Sequence, residues 1–147
     1  MLYSFALIKF YIMKEHLSTV LENSQTYTLA VANLMPEKDY EFKPADGVWN
    51  FRELLHHIAY GIGWWEDNYI KDKKTEWDQP PAKTNKKEVI AYLNKAYASL
   101  KDTISKGKLS PDAIKGYQAT IDHITHHRGQ ATIYLRCRGV TPPAYVY

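Results

Sequence analysis

The chain has a single cysteine, Cys137. One thiol excludes an internal disulfide and fits a reducing compartment. The residue is expected in the core as a small apolar side chain rather than as a nucleophile. Long apolar runs are also missing, and a bilayer-crossing helix needs about 20 consecutive apolar residues. The N-terminal MLYSFALIKFYIMK comes nearest, but Lys9 interrupts it, no basic start precedes it and no A-x-A cleavage pattern follows. Residues 1–12 read as an apolar extension of the first helix or as a cover over an apolar groove, and a start at Met13 also fits. With no membrane segment the expected location is cytoplasmic. A net charge of +3, from 19 basic and 16 acidic residues, is too mild and too scattered for nucleic acid. Its one short basic cluster, Lys83 with Lys86 and Lys87, reads as the solvated start of a helix. The chain shows no internal repeat, phosphate loop, Ser-His-Asp set or paired carboxylates, and Glu66 and Asp67 read as solvated.

What remains is an ordinary globular composition, 45% hydrophobic and 24% charged, in 147 residues, which suits one domain with a real core. Its punctuation cuts the chain into four helical segments. The first, from about residue 4 to 35, carries Leu17, Val20, Leu21, Tyr27, Val31 and Leu34 at helical spacing and stops before Pro36. A second opens at Asn50 with Glu53 in the capping-box position and runs to about Tyr69. The polar, proline-bearing stretch 71–84 follows as a loop. A third opens at Asn85, with Glu88 in the same relation, and carries Val89, Ile90, Leu93, Ala96, Tyr97, Leu100 and Ile104 before Gly107. The fourth starts between Ser110-Pro111 and Tyr117 and ends at Arg138-Gly139, with Pro142-Pro143 beyond. No strand pattern competes. Four amphipathic helices make an all-α four-helix bundle as a single domain, 1–147.

The chemistry lies in IDHITHHRGQ, residues 121–130, where three of the six histidines fall within five positions. A helix turns about 100° per residue, so His123 and His127 share a face while His126 points away. Two imidazoles one turn apart can ligate one metal ion, but they do not complete a site. The second helix offers His56 and His57, which diverge, so one of them can join. His57 has Gly61 four positions on and Trp64 seven on, and His127 has Ala131 and Tyr134 in the same relation. Small residues beside the imidazoles and aromatics one turn farther suit a lined cavity over a metal. His56 is then left to face outward or pack on a neighbouring helix. A trio of His57, His123 and His127 keeps at least one coordination place open, the form of catalytic zinc sites, and imidazole also suits nickel, copper and iron. Such an ion polarises a bound group, lowers the pKa of bound water toward about 7, or holds a thiol as thiolate. Cys137 lies too far around the helix, so a thiol would come from a small molecule. Arg128 is expected to pair with a carboxylate on a neighbouring helix, Gly129 to permit close helix packing, and Asp122 is a weaker candidate for orienting an imidazole. Ordinary surface or packing histidines are the competing reading.

Three stretches resemble the DinB-like family of small metal-binding four-helix proteins: YTLAVANLMPEKDYEFKP (27–44), NFRELLHHIA (50–59) and HITHHRGQATIYLRCRGVTPP (123–143). The last is the most specific, matching an H-x-x-x-H-R-G-Q pattern followed by Y-L-R-x-x-G-x-x-P-P. The resemblance implies an up-down-down-up bundle with a long crossover between the second and third helices. It implies a ligand set of His57, His123 and His127 for a divalent ion, zinc or nickel before others, and often a homodimer. Relatives include thiol-dependent transferases and isomerases in which the metal activates a low-molecular-weight thiol. The implied function is thus a metal-dependent transferase or hydrolase acting on a small molecule; the alternative is a non-catalytic metal-binding helical dimer module. Departures are Asn50, where the family often has Ser or Thr, the segment 1–12, which has no counterpart, and the individual loop 71–84, where substrate selection is expected to lie.

Overall fold

The structure, a computed structural model, describes residues 2–107 and 109–145, the side chains of 2–7, 9 and 10 excepted. It consists of α1 (Leu2–Leu34), α2 (Phe51–Trp65), α3 (Lys86–Lys106) and α4 (Pro111–Cys137), with no strand among the described residues. A 3-10 turn at Glu37–Asp39 interrupts the first connection. A π-helical turn, Glu66–Ile70, prolongs α2.

The starts of α2, α3 and α4 are each set by a side-chain cap. Asn50 accepts from the Glu53 amide at 2.7 Å, and the Glu53 carboxylate accepts from the Asn50 amide at 2.8 Å, which completes the capping box. At α3 only half of that arrangement forms. Asn85 accepts from the Glu88 amide at 2.9 Å, but the Glu88 carboxylate turns to the amide and hydroxyl of Thr84. Ser110 caps α4 ahead of Pro111, so the helix takes the early end of the range expected from sequence. Gly116 does not delay it, because that glycine serves packing: a Cβ there would lie 2.3 Å from the Tyr69 Cβ. At the other end Gly139, φ +72°, closes α4, with Val140 N–H donating to the Leu135 carbonyl at 2.9 Å.

Cross-helix pairs give the topology. Lys14 meets Ser105 and Ser24 meets Tyr97, so α1 and α3 are antiparallel. Leu17 meets Tyr117 and Ser24 meets Arg128, so α1 and α4 are parallel. His56 meets Tyr92 and Glu66 meets Thr103, which makes α2 and α3 parallel, and Gly61 meets His123, which makes α2 and α4 lie in contact. With Tyr69 against Gly116 the α2–α4 pair is antiparallel. The order is up-down-down-up, and α2 packs against both α3 and α4, opposite α1. The crossover 71–85 spans the α2–α3 step.

The core is the four apolar stripes meeting, with Leu21, Val31, Leu55, Ile58, Ile62, Leu93, Leu100, Ile124 and Leu135 essentially sealed from solvent. Leu34, expected inward, faces out, and Met35 takes the buried place beyond it. Residues 2–12 extend the first helix; the groove-cover expectation concerns side chains that lie mostly outside the described residues, and Ile8, Tyr11 and Ile12 are exposed. None of the described helices is long and apolar enough to cross a membrane.

Five expectations from sequence are corrected by packing. Arg128 is buried, yet it meets no carboxylate; its guanidinium donates to Ser24 and Thr28 of α1 and lies 4.8 Å from the Tyr27 ring centre. At that level α1 offers hydroxyls and an aromatic face rather than an acid. Gly129 abuts nothing: a Cβ there would find open space. Cys137 is exposed because it sits one step round the last turn from buried Leu135 and Tyr134. Glu66 is buried instead of solvated, and Ser99, Thr103 and Lys71 hold its carboxylate. Of the basic cluster, Lys86 is not simply solvated, since it donates to the Asn33 and Met35 carbonyls at the end of α1.

Candidate metal centre

Helix α2 brings His57 to α4, which brings His123 and His127 one turn apart on its facing side. Ligand atoms of the three lie within 4.8 Å of one another, so together they could hold a metal ion. The His57 and His123 Nε2 atoms are 3.0 Å apart, and those of His57 and His127 are 3.2 Å apart. A tetrahedral ion bound at 2.0–2.1 Å sets its nitrogens about 3.3 Å apart, so the spacing suits one.

Proton accounting makes a stronger case than distance. Gln79 Oε1 is 2.8 Å from His57 Nδ1, and Gln130 Oε1 is 2.8 Å from His127 Nδ1. An amide oxygen only accepts, so both rings carry their proton on Nδ1 and turn a bare Nε2 lone pair inward. The Gln130 amide nitrogen donates to His126 Nε2 at 3.3 Å, which fixes that amide the same way round. Two lone pairs thus face each other across 3.2 Å with no proton between them. His123 can donate one proton to His57, but its own buried Nδ1 has no hydrogen-bond partner. No choice of neutral tautomers gives all three inward Nε2 atoms a partner, whereas one cation among the lone pairs would, with the buried His123 Nδ1 left unpartnered in either case.

Electrostatics points the same way. Burial lowers the pKa of His57 and of His127, and burial with the neighbouring imidazoles takes His123 down to about 3. Uncharged imidazole is the form that binds metal.

The residues expected to line a cavity separate into different surroundings. Gly61 leaves no open gap, because the His123 ring fills the space: a Cβ on Gly61 would lie 2.2 Å from His123 Cε1. Ala131 is fully buried in the core. Tyr134 does border a recess beside His127, about 360 Å³ in volume, with Pro44, Val48, Trp49, Leu54 and Gln130. No carboxylate, lysine or arginine lines that recess. Trp64 instead lines a separate cavity on the α3 side and donates to the Thr75 carbonyl at 3.1 Å. His56 packs on Tyr92 of α3, with ring centres 5.0 Å apart. Asp122 is exposed, and the two glutamines take the orienting role considered for it.

Sequence reasoning passed over four residues at the site. Trp49, just before the α2 cap, lies over His57 with ring centres 4.4 Å apart, and Trp77 approaches the same ring at 5.5 Å. Gln79 reaches in from the loop 71–84, which therefore does border the site. Gln130 stands three residues after His127 on the same helix face, and that spacing was its available signal.

Comparison with known proteins agrees with this picture of the fold. A family model described as the DinB superfamily matches residues 21–131. A crystal structure of a DinB-like protein from Bacillus cereus superposes with a TM-score of 0.75 at 20% identity, covering 90% of this chain and 97% of that one. No curated protein matches the chain.

Proposed function

The chain belongs to the DinB superfamily, and from that membership together with the three converging imidazoles we propose a metal-dependent enzyme that acts on a small molecule by thiol-dependent transfer or by hydrolysis. The observation that carries this reading is the pair of inward lone pairs on His57 and His127, each fixed by a glutamine, which face each other with no proton between them.

His57, His123 and His127 would hold a divalent ion, zinc or nickel before others, as neutral nitrogen donors. When bound, such an ion supplies Lewis acidity, polarising an electrophile or holding a thiol or water in its deprotonated form. Three protein ligands leave a four-coordinate ion one place for a guest, which favours catalysis over a purely bracing role. Gln79 and Gln130 keep the Nε2 atoms aimed inward. Trp49 and Trp77 cover the His57 ring and keep water from it. The recess beside His127 would receive the apolar body of a substrate, and the absence of charged lining selects against ionic groups at that point. The thiol, where one is used, comes from a second small molecule, because Cys137 sits exposed at the far end of α4.

Metal analysis of the purified protein, with His57→Ala and His127→Ala beside it, tests the ion. Rates with low-molecular-weight thiols and soft electrophiles, before and after chelation, test the reaction. Loss of both metal and rate on chelation, restored by zinc or nickel, is the expected result. A rate unchanged after complete metal removal would reject the reading.

A further inference from the structure

A second cavity lies on the other side of α2 from the histidines, between α2, α3 and the start of the crossover, about 520 Å³ in volume. None of His57, His123 and His127 lines it. Trp77 stands between the two places, 5.5 Å from the His57 ring on one side and 4.8 and 5.2 Å from the Tyr60 and Trp64 rings on the other. We infer that this cavity is a separate binding site for a small organic anion with a flat, apolar body, and the inference does not depend on the proposed metal chemistry.

The shape comes from residue choice. Ala59 and Gly63 of α2 face Ala96 of α3, so two helices that touch elsewhere leave room here. A Cβ on Gly63 would meet nothing within 4 Å. Around that hollow stand three aromatic side chains, Tyr60, Trp64 and Tyr92, which suit a planar or apolar body.

The charge comes from lysines. Lys71, Lys73 and Lys95 line the cavity with two acids, Glu66 and Asp67. Both acids are already engaged: Glu66 by Lys71, and Asp67 by Lys73 at 3.0 Å and Lys71 at 3.7 Å. A ligand cation would have to displace those lysines. Lys95 pairs with no carboxylate among the described residues, so it is the group left to meet an anion. An adjoining recess shares Tyr92 and Lys95 with Lys83 and Glu88, and the Lys83 ammonium lies 5.6 Å from the Tyr92 ring centre.

The outer wall is built rather than loosely draped. Trp64 and Asn68 hold Thr75 through its carbonyl and its hydroxyl, and the Asp78 amide donates to the Tyr60 hydroxyl at 2.8 Å. Within that wall Asp72 and Lys74 have φ of 53° and 54°, a conformation that a Cβ disfavours. The residues alternating with them, Lys71, Lys73 and Thr75, all line the cavity. Strain held in place by surrounding bonds is typical of ligand sites.

The test is calorimetric titration of the whole chain with naphthalene-2-sulfonate, using naphthalene-2-carboxamide as the uncharged counterpart. One saturable site is expected, with the same affinity in zinc-loaded and chelator-treated protein and with the carboxamide binding more weakly. Lys95→Ala should weaken the sulfonate by up to about fivefold, the upper end for one exposed ion pair, and Lys95→Glu more. Gly63→Leu, which fills the hollow, should abolish binding, while Lys101→Ala, on an outer face with Glu22, should change nothing. Lys95 is exposed, so its variants keep the test decisive even where Gly63→Leu fails to fold. No saturable binding up to millimolar concentration, equal affinity in the Lys95 variants and the parent, or binding that requires zinc would overturn the inference.

Discussion

Gly61→Ala isolates the packing on which the proposed metal centre rests. The added Cβ would lie 2.2 Å from His123 Cε1, 2.7 Å from Nδ1 and 3.0 Å from Nε2. Ordinary carbon contacts are about 3.5–4.0 Å, so the ring or the helix must withdraw by more than about 1 Å. Metal–ligand bonds tolerate about 0.2 Å. His123 should therefore be lost as a ligand although its side chain is intact. Disturbing only an outer hydrogen bond weakens metal binding about 10–100-fold, and losing a ligand should exceed that. Stability moves less: overpacking costs about 1–3 kcal/mol, offset by about 0.5–1 kcal/mol for replacing a helical glycine. Gly63→Ala, one residue pair along the same helix, is the control, because its Cβ meets nothing within 4 Å. It should stabilise the chain by about 0.5–1 kcal/mol and leave metal affinity alone. Zinc competition against a chromophoric chelator reads affinity, and urea unfolding of chelated protein reads stability. In a His123→Ala background the affinity effect of Gly61→Ala should vanish. Equal zinc affinity in Gly61→Ala and Gly63→Ala would refute the argument.

Three further outcomes follow from the same geometry. Gln79→Leu and Gln130→Leu should each lower zinc affinity about 10–100-fold while the fold persists, and unchanged affinity would remove the glutamines from the site. The chelated protein should lose stability as pH falls from about 6.5 toward 3: His123 binds its proton more weakly folded than unfolded, so in that window the unfolded chain holds the extra proton. The slope from that group is at most about 1.4 kcal/mol per pH unit, reduced by its partial exposure, and His123→Asn should flatten it in urea titrations at several pH values. Gly129→Ala, at an exposed position with open space, should raise stability by about 0.5–1 kcal/mol in urea unfolding, and a loss there would reveal a contact that the isolated chain does not show.

The fold was legible because each helix carries its own apolar stripe, and α2, α3 and α4 each carry a cap. Val89, Leu93, Ala96, Tyr97, Leu100 and Ile104 repeat at helical spacing and all are buried. Asn50 and Glu53 occupy a cap arrangement that depends on four residues only, so tertiary contacts had little chance to override it. The histidines were legible for the same reason, since i, i+4 spacing on one helix is a local fact. Gln79 was not. It arrives from an aperiodic loop, 22 residues from the imidazole it holds, and nothing local marks it. Arg128 was misjudged because a buried cation suggests an acid, whereas its actual neighbours, Ser24 and Thr28, lie on a helix about a hundred residues earlier.

Gly61 shows how far spacing alone can carry such a reading. Its position, four residues after His57, reads as a void beside the first imidazole. A void on one helix is equally an invitation to the helix opposite, and the space is taken by a second imidazole. The absent side chain lets α2 and α4 approach until nitrogens from both are 3.0 Å apart. Without an ion that closeness is unfavourable: three uncharged rings are confined with lone pairs opposed and a buried Nδ1 left without a partner. Burial first of all lowers the pKa values of His123 and His127, so the rings stay uncharged there. A core selected for stability alone would place leucine where His123 stands. A cation bound there would stabilise the fold by an amount that grows with the logarithm of its concentration over its Kd, so metal occupancy and resistance to unfolding should rise together.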